Sequence, residues 1–200
     1  MSPRRKQPDQ RMHVSLPQLE SGDQTDLQAG ACDGLRFNAL SLSGFVAHDV
    51  RLLECKFADC VLDDARLRGA RFSSCVLDGL RATTLDLAES QWLDVVLEGG
   101  RYGALLCQGS DLVRVAVRGA KIDYLNLRGA ELNRVQVEDS TIGELDLGMS
   151  QVRHLSFLRT RVDRLVLHGA TLQEVDLTGA ELAALDGSPA FAARRSARRN

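Results

Sequence analysis

The amino-acid sequence predicts an all-β fold, a right-handed, four-sided parallel β-helix of about seven and a half coils that ends in a short carboxy-terminal helix. Three observations carry this. Every fifth residue from Phe37 to Leu182 is apolar, a second apolar or small column runs two residues ahead of it, and within that second column residues twenty apart match best.

The first column fixes the unit. Of thirty positions spaced by five, from Phe37 through Leu42 and Leu52 to Leu182, twenty-seven are Leu, Phe, Val, Ile, Trp or Tyr; the exceptions are Ala47, Ala82 and Cys107. An amphipathic helix drifts off a period of five within two turns, so neither helix nor ordinary strand explains the pattern. The second column reads Leu35, Leu40, Phe45, Val50, Cys55, Cys60, Ala65, Ala70 and onward to Leu185. Two inward residues separated by one outward residue describe a short extended segment, and the residues between segments form a corner. Leu85, Leu105, Leu125, Leu145, Leu165 and Leu185 make one set at twenty-residue spacing, and Val95, Val115, Val135, Leu155 and Val175 another. Small sets alternate with them: Ala70, Ser90, Ser110, Ala130, Ser150, Ala170, and Gly100, Ala120, Ser140, Thr160, Ala180. Twenty residues therefore close one coil of four sides, and stacking like on like fills the interior. Gly69, Gly99, Gly109, Gly119, Gly129, Gly169 and Gly179 stand at corners, where they are expected to supply positive φ. At about 4.8 Å per coil the rod is about 36 Å long.

The ends differ. Residues 1–30 are polar and aperiodic, with Pro3, Pro8 and Pro17, and are expected to be largely disordered except for an edge-covering piece near His13 to Leu19. The β-helix is assigned to residues 31–186. In residues 187–200, Ser188 and Pro189 read as N-cap and first residue of a helix that lays Phe191 over the last coil, as an end cap or dimer contact.

Composition narrows the function. No apolar run reaches the roughly 18 residues of a membrane span, and no signal-peptide core follows the basic start, so a cytoplasmic location is expected. The 22 Arg against 3 Lys suggest a GC-rich, bacterial genome. Cys32, Cys55, Cys60, Cys75 and Cys107 include no CxxC pair and read as buried thiols, with Cys55 and Cys75 stacked in adjacent coils. His13, His48, His154 and His168 fall in the tail or on outward positions and cannot converge on a metal. No nucleophile-base order, phosphate loop or deep pocket is foreseen, so neither catalysis nor a cofactor is expected.

The units RGAKIDYLNL, RGAELNRVQV and HGATLQEVDLTGAEL make the region from about residue 35 to residue 186 similar to the pentapeptide-repeat family, whose unit is A(D/N)LXX. Asp or Asn precedes the central residue at only a minority of units, among them Asp86, Asp111, Asn126, Asp146 and Asp176. A leucine-rich repeat is the alternative, but it has no place for a five-residue phase. The resemblance implies a non-enzymatic protein-binding role. Its topoisomerase-modulating branch implies a DNA mimic that protects or modulates DNA gyrase, with consequences for antibiotic resistance, and dimerisation through terminal elements. Mimicry demands an acidic stripe. Residues 35–186 carry 17 Lys plus Arg against 22 Asp plus Glu, and the most negative side holds Asp59, Asp78, Glu98, Glu138, Asp139 and Asp176, interrupted by Arg36, Lys56, Arg118 and Arg159. A mixed-charge scaffold for an unknown protein is the alternative. Direct nucleic-acid binding through the RRSARR tail is not expected, because its Arg residues have no interleaved aromatics.

The inside-outside assignment is directly testable. Leu125→Asp should abolish the folded state, because burying an uncompensated carboxylate costs several kcal/mol. Arg128→Asp, on the outside, should change stability by about 0.5 kcal/mol or less. Chemical denaturation of the two variants checks the pair, and equal effects would refute the assignment.

Overall fold

In the computed structural model, which describes residues 12–191, the chain winds into a parallel β-solenoid of about eight turns. It is the right-handed, four-sided β-helix that the spacing predicts. The expected pile of leucines is present: Leu85 pairs with Leu105, Leu105 with Leu125, Leu125 with Leu145, Leu145 with Leu165, and Leu165 with Leu185. The sides are numbered here by the residues of one coil. Side I centres on Arg71, side II on Val76, side III on Arg81 and side IV on Asp86, each lying between two inward residues.

Strands run through corners. Segments such as Gln91–Glu98, Asp111–Arg118 and Glu131–Glu138 span sides I and II, and stack into a sheet of 12 strands. Segments such as Arg101–Leu106 and Lys121–Asn126 span sides III and IV in a sheet of 7 strands. Within the first sheet the bend is made by a residue at positive φ, and these bends are not glycines: Asp94, Arg114, Arg134, His154 and Glu174 adopt φ near 55°. Stacked corners hold one another, which offsets the cost of the left-handed conformation at non-glycine residues. Six of the seven expected corner glycines do have positive φ. Gly179 does not, and is a correction: a Cβ there would lie 2.2 Å from the Phe157 carbonyl oxygen, so close approach of the coils, rather than φ, requires glycine.

The interior is continuous. Phe37 stacks on Phe57 with ring centroids 4.6 Å apart, and Phe72 meets Trp92 at 5.0 Å. The narrow columns take small polar residues because backbone carbonyls satisfy them: the Ser90 hydroxyl donates to the Leu87 carbonyl at 2.6 Å and accepts from the Trp92 indole N–H at 2.7 Å. Gly100 makes room for its neighbour; a Cβ would stand 2.9 Å from the Tyr102 hydroxyl oxygen and 2.6 Å from the Leu80 carbonyl oxygen.

Both ends depart from expectation. Glu20–Ser21 and a helix at Gln24–Gln28 are ordered parts of the fold, not a disordered leader. Glu20 pairs with Leu35, Asp23 caps the helix in a capping box with Asp26, and Leu27 is fully buried over the first coil. The expected disorder of residues 1–11 lies outside the described residues. At the other end Ala190–Phe191, where the carboxy-terminal helix was expected to be under way, is a strand on side I, with Ala190 paired to Thr171 and Phe191 to Leu172. One more coil closes there because Leu172 still offers an open ladder edge. The remainder of the expected helix, residues 192–200, lies outside the described residues. Leu182 and Leu185 in the last coil are 36% and 57% exposed.

Candidate functional site

The six acidic residues singled out in the sequence are gathered on one side. Asp59, Asp78, Glu98, Glu138 and Asp139 line the corner between sides II and III, and Asp176 lies on side II of a later coil. The register stacks Asp78 on Glu98, Glu98 on Arg118 and Arg118 on Glu138. This column is not a bare acidic stripe. Lys56 pairs with Asp78 at 2.8 Å, the Arg118 guanidinium lies 3.8 Å from Glu98 and 3.5 Å from Glu138, and Arg159 grips both oxygens of Asp139 at 2.5 and 2.8 Å. Asp176 accepts from the backbone and hydroxyl of Thr178 and so pins a corner. Three of the four cations that interrupt this side in the sequence, Lys56, Arg118 and Arg159, are therefore partners of its acids.

A second feature of this side is the covering piece expected near His13 to Leu19, which lies on side II. Residues 12–19 cross side II as an extended segment whose apolar residues Met12, Val14, Leu16 and Leu19 are half-buried while His13, Ser15 and Pro17 are exposed. Val14 and Leu16 line a groove of about 480 Å³ with Lys56, Val76, Asp78, Val96, Glu98 and Arg118. The Arg118 guanidinium donates to the Met12 carbonyl. Beneath the segment Val96 is 4% exposed and Ala116 0%, although both point outward; the equivalent residues of side I, from Arg51 to Thr171, are all exposed. Glu138 is only 5% exposed. The signal was present in the sequence, since side II alone has apolar outward residues in three successive coils, Val76, Val96 and Ala116.

The other sides carry different charge. Side III stacks Arg81, Arg101 and Lys121 in register, all exposed and none in an ion pair with another described residue. Elsewhere opposite charges meet one coil apart, as in Asp94 with Arg114 at 2.5 Å and Glu144 with Arg164 at 3.6 Å, and the His154 ring lies 3.0 Å from the Glu174 carboxylate. The Arg114 hydrogen bond holds the Asp94 carboxyl below its ordinary range.

The interior offers little space for chemistry. A cavity of about 30 Å³ among Trp92, Leu105, Leu125 and Leu145 is wholly apolar. Among the described residues no group of three or more His, Cys, Asp and Glu could hold a metal ion, and no helix is long and apolar enough to cross a membrane. All five cysteines are free and buried. The Cys75 thiol donates to the Leu52 and Ser73 carbonyls, both at 3.3 Å, and burial pushes it up to about 12.

The family described as pentapeptide repeats matches residues 48–83, in 8 copies. No curated protein matches the chain in sequence. Among solved structures the chain is similar to HetL, a pentapeptide repeat protein involved in heterocyst differentiation regulation in the cyanobacterium Nostoc, at 18% identity over 80% of this chain and 91% of that one, with a TM-score of 0.29. It is also similar to QnrB1, a plasmid-mediated fluoroquinolone resistance protein, at 17% identity over 87% and 91% of the two chains, with a TM-score of 0.30. Neither likeness assigns a partner to this chain.

The thiols make a prediction. Because burial raises Cys75 from its ordinary 9.0 to about 12, the folded state disfavours its thiolate. The stability this contributes is complete below pH 9.0 and is lost as pH rises from 9.0 towards 12. At pH 8 a chromogenic disulfide reagent should leave all five thiols unmodified in the folded protein and titrate all five in denaturant; rapid reaction in the native state would refute the packing.

Proposed function

We propose, from the premise that the chain belongs to the pentapeptide-repeat family, that it is a non-enzymatic, cytoplasmic scaffold that binds a protein partner through side II. The observation that carries this is the groove over Val76 and Val96, bounded by Lys56, Asp78, Glu98 and Arg118. It combines an apolar floor with a rim of both charges, the anatomy of a protein-protein contact. The stacked coils hold that rim rigid, so little ordering cost falls on the solenoid when a partner docks.

A more specific reading, a DNA-mimicking modulator or protector of DNA gyrase, is supported by the gathering of Asp59, Asp78, Glu98, Glu138, Asp139 and Asp176 on one side. The pairing of those acids with Lys56, Arg118 and Arg159 favours mixed-charge docking over mimicry. A gyrase supercoiling assay separates the two. The intact chain at about micromolar concentration is expected to leave supercoiling unchanged at low ionic strength; inhibition that fades with added salt would establish mimicry instead. For the scaffold, Asp78→Lys with Glu98→Lys should release a protein that the immobilised full chain retains, whereas Gln151→Lys on side I should not. Release by both, or by neither, would remove side II from consideration.

The exposed Leu182 and Leu185 favour a homodimer formed through the carboxy-terminal coil. In sedimentation the full chain should run as a dimer and Leu185→Glu as a monomer. A chain that is monomeric at every concentration would refute this.

A further inference from the structure

Side III carries three cations in register. Arg81 stacks on Arg101 and Arg101 on Lys121, all are exposed, and none pairs with an acid among the described residues. Like charges about 4.8 Å apart repel, so the bare column favours an anionic cover. We propose that side III is a second docking face, which receives an acidic α-helix of a partner protein laid along the rod, with carboxylates at i, i+3 and i+7 against Arg81, Arg101 and Lys121.

The sequence withholds the usual partners from this column. Arg161, two coils beyond Lys121 on the same line, is held at 2.7 Å by Asp163 of its own strand. The equivalent positions beside Arg81 and Arg101 are Thr83 and Gly103, and the residues two before the three cations are Gly79, Gly99 and Gly119. Acids on the adjoining corners are engaged elsewhere: Asp63 accepts from the Thr83 N–H at 2.7 Å, Asp78 pairs with Lys56 at 2.8 Å, and Glu98 lies 3.8 Å from Arg118. Asp59, which leans over Gly79, and Asp123, on the Lys121 strand, stand at the two ends of the column without pairing to it.

Spacing and length identify the partner. A helix rises about 1.5 Å per residue, so carboxylates at i, i+3 and i+7 stand at about 0, 4.5 and 10.5 Å on one stripe, against cations at about 0, 4.8 and 9.6 Å. Alternate residues of an extended peptide rise about 6.6 Å and drift off the column by the third. A nucleic-acid duplex presents a charge about every 1.7 Å along its whole length. The column instead stops at Val61 on one side and Thr141 on the other, and the acids at its ends repel a longer polyanion. Glycine corners leave the face flat, and Tyr124, half-buried and stacked on Ala104 at the corner with side IV, offers an apolar ledge beside the cations.

This face is separate from the groove on side II, and its test uses neither that groove nor an unidentified partner. A synthetic peptide held helical by a lactam on its opposite face, with Glu at i, i+3 and i+7, is added to the isotope-labelled full chain at about millimolar concentration, where a few exposed ion pairs suffice for binding. Amide resonances of Arg101–Leu106 and Lys121–Asn126 should shift while those of side I stay, and the shifts should fade as salt rises from about 0.01 M to about 1 M. The same residues reordered, with Glu spread around the helix, should bind at least about tenfold more weakly. Arg101→Glu, which gives the column the alternation seen at Asp94 and Arg114, should lose binding by at least about tenfold, and Lys121→Gln should weaken it too. Arg71→Glu on side I should bind as the unaltered chain does. No shift on side III, equal binding of the two peptides, undiminished binding by Arg101→Glu and Lys121→Gln, or tighter binding of a duplex oligonucleotide than of the peptide would each overturn the proposal.

Discussion

The hydrogen bonds between coils set the register on which the rest of the molecule depends. Gln91 donates to Ala70, Asp111 to Ser90, Glu131 to Ser110, Gln151 to Ala130 and Thr171 to Ser150, each at 2.9 Å and each one coil from the last. A bond repeated at one column fixes the neighbouring columns, so through the regular coils residue n lies under residue n+20, and the offset changes only where the end strands add, to 15 between Glu20 and Leu35 and 19 between Thr171 and Ala190. Inside, this forces like onto like, and Leu on Leu packs without gaps while Ser and Ala keep the narrow sides narrow. Outside, it places each side chain about 4.8 Å from the residue twenty later. Opposite charges meet at that spacing in Asp94 with Arg114, Asp139 with Arg159, and Glu144 with Arg164. Each exposed pair contributes little by itself, and elsewhere like stacks on like, as in Arg81, Arg101 and Lys121.

This is also why the fold was legible and the site less so. Inward residues answer to one rule, volume and apolarity at fixed spacing, and the sequence states it for thirty units without interruption. Corners answer to two rules, positive φ and close approach. Glycine serves both, so Gly179 could not be told from Gly169, and Arg114 or His154 at positive φ carries no compositional sign at all. The ends answer to tertiary context. The helix at Gln24–Gln28 was announced only by Asp23 and Asp26 three apart, a capping box before a lone leucine. Ser188 and Pro189 announced a helix that the open edge at Leu172 overrode, since a vacant strand position next to a folded sheet outweighs local propensity.

The acidic side shows the same limit at the surface. Spacing alone placed Asp78, Glu98 and Glu138 together, which the register confirms, but a sum of charges by side could not show that Arg118 sits between two of them. Nor could it show that a distant segment covers them. The outward run Val76, Val96 and Ala116 was the available clue, because an apolar outward residue repeated over three coils makes a stripe and not a scatter, and a stripe on a solenoid calls for a cover.

How firmly that cover is held follows from magnitudes. Four half-buried apolar side chains, Met12, Val14, Leu16 and Leu19, contribute about 1 kcal/mol each. Fixing the backbone of residues 12–19 costs about 1 kcal/mol or more per residue. Apolar contact by itself therefore does not keep the segment on side II, and the Arg118 hydrogen bond to the Met12 carbonyl adds to it. A segment balanced in this way is held less firmly than a strand built into the ladder, such as Glu20–Ser21 on Leu35. Directly after that strand Gly22 lets the chain pass the Phe37 ring, at a position where a Cβ would lie 2.6 Å from that ring. Residues 12–19 lie against the solenoid, and from Glu20 onward the chain is part of its ladder.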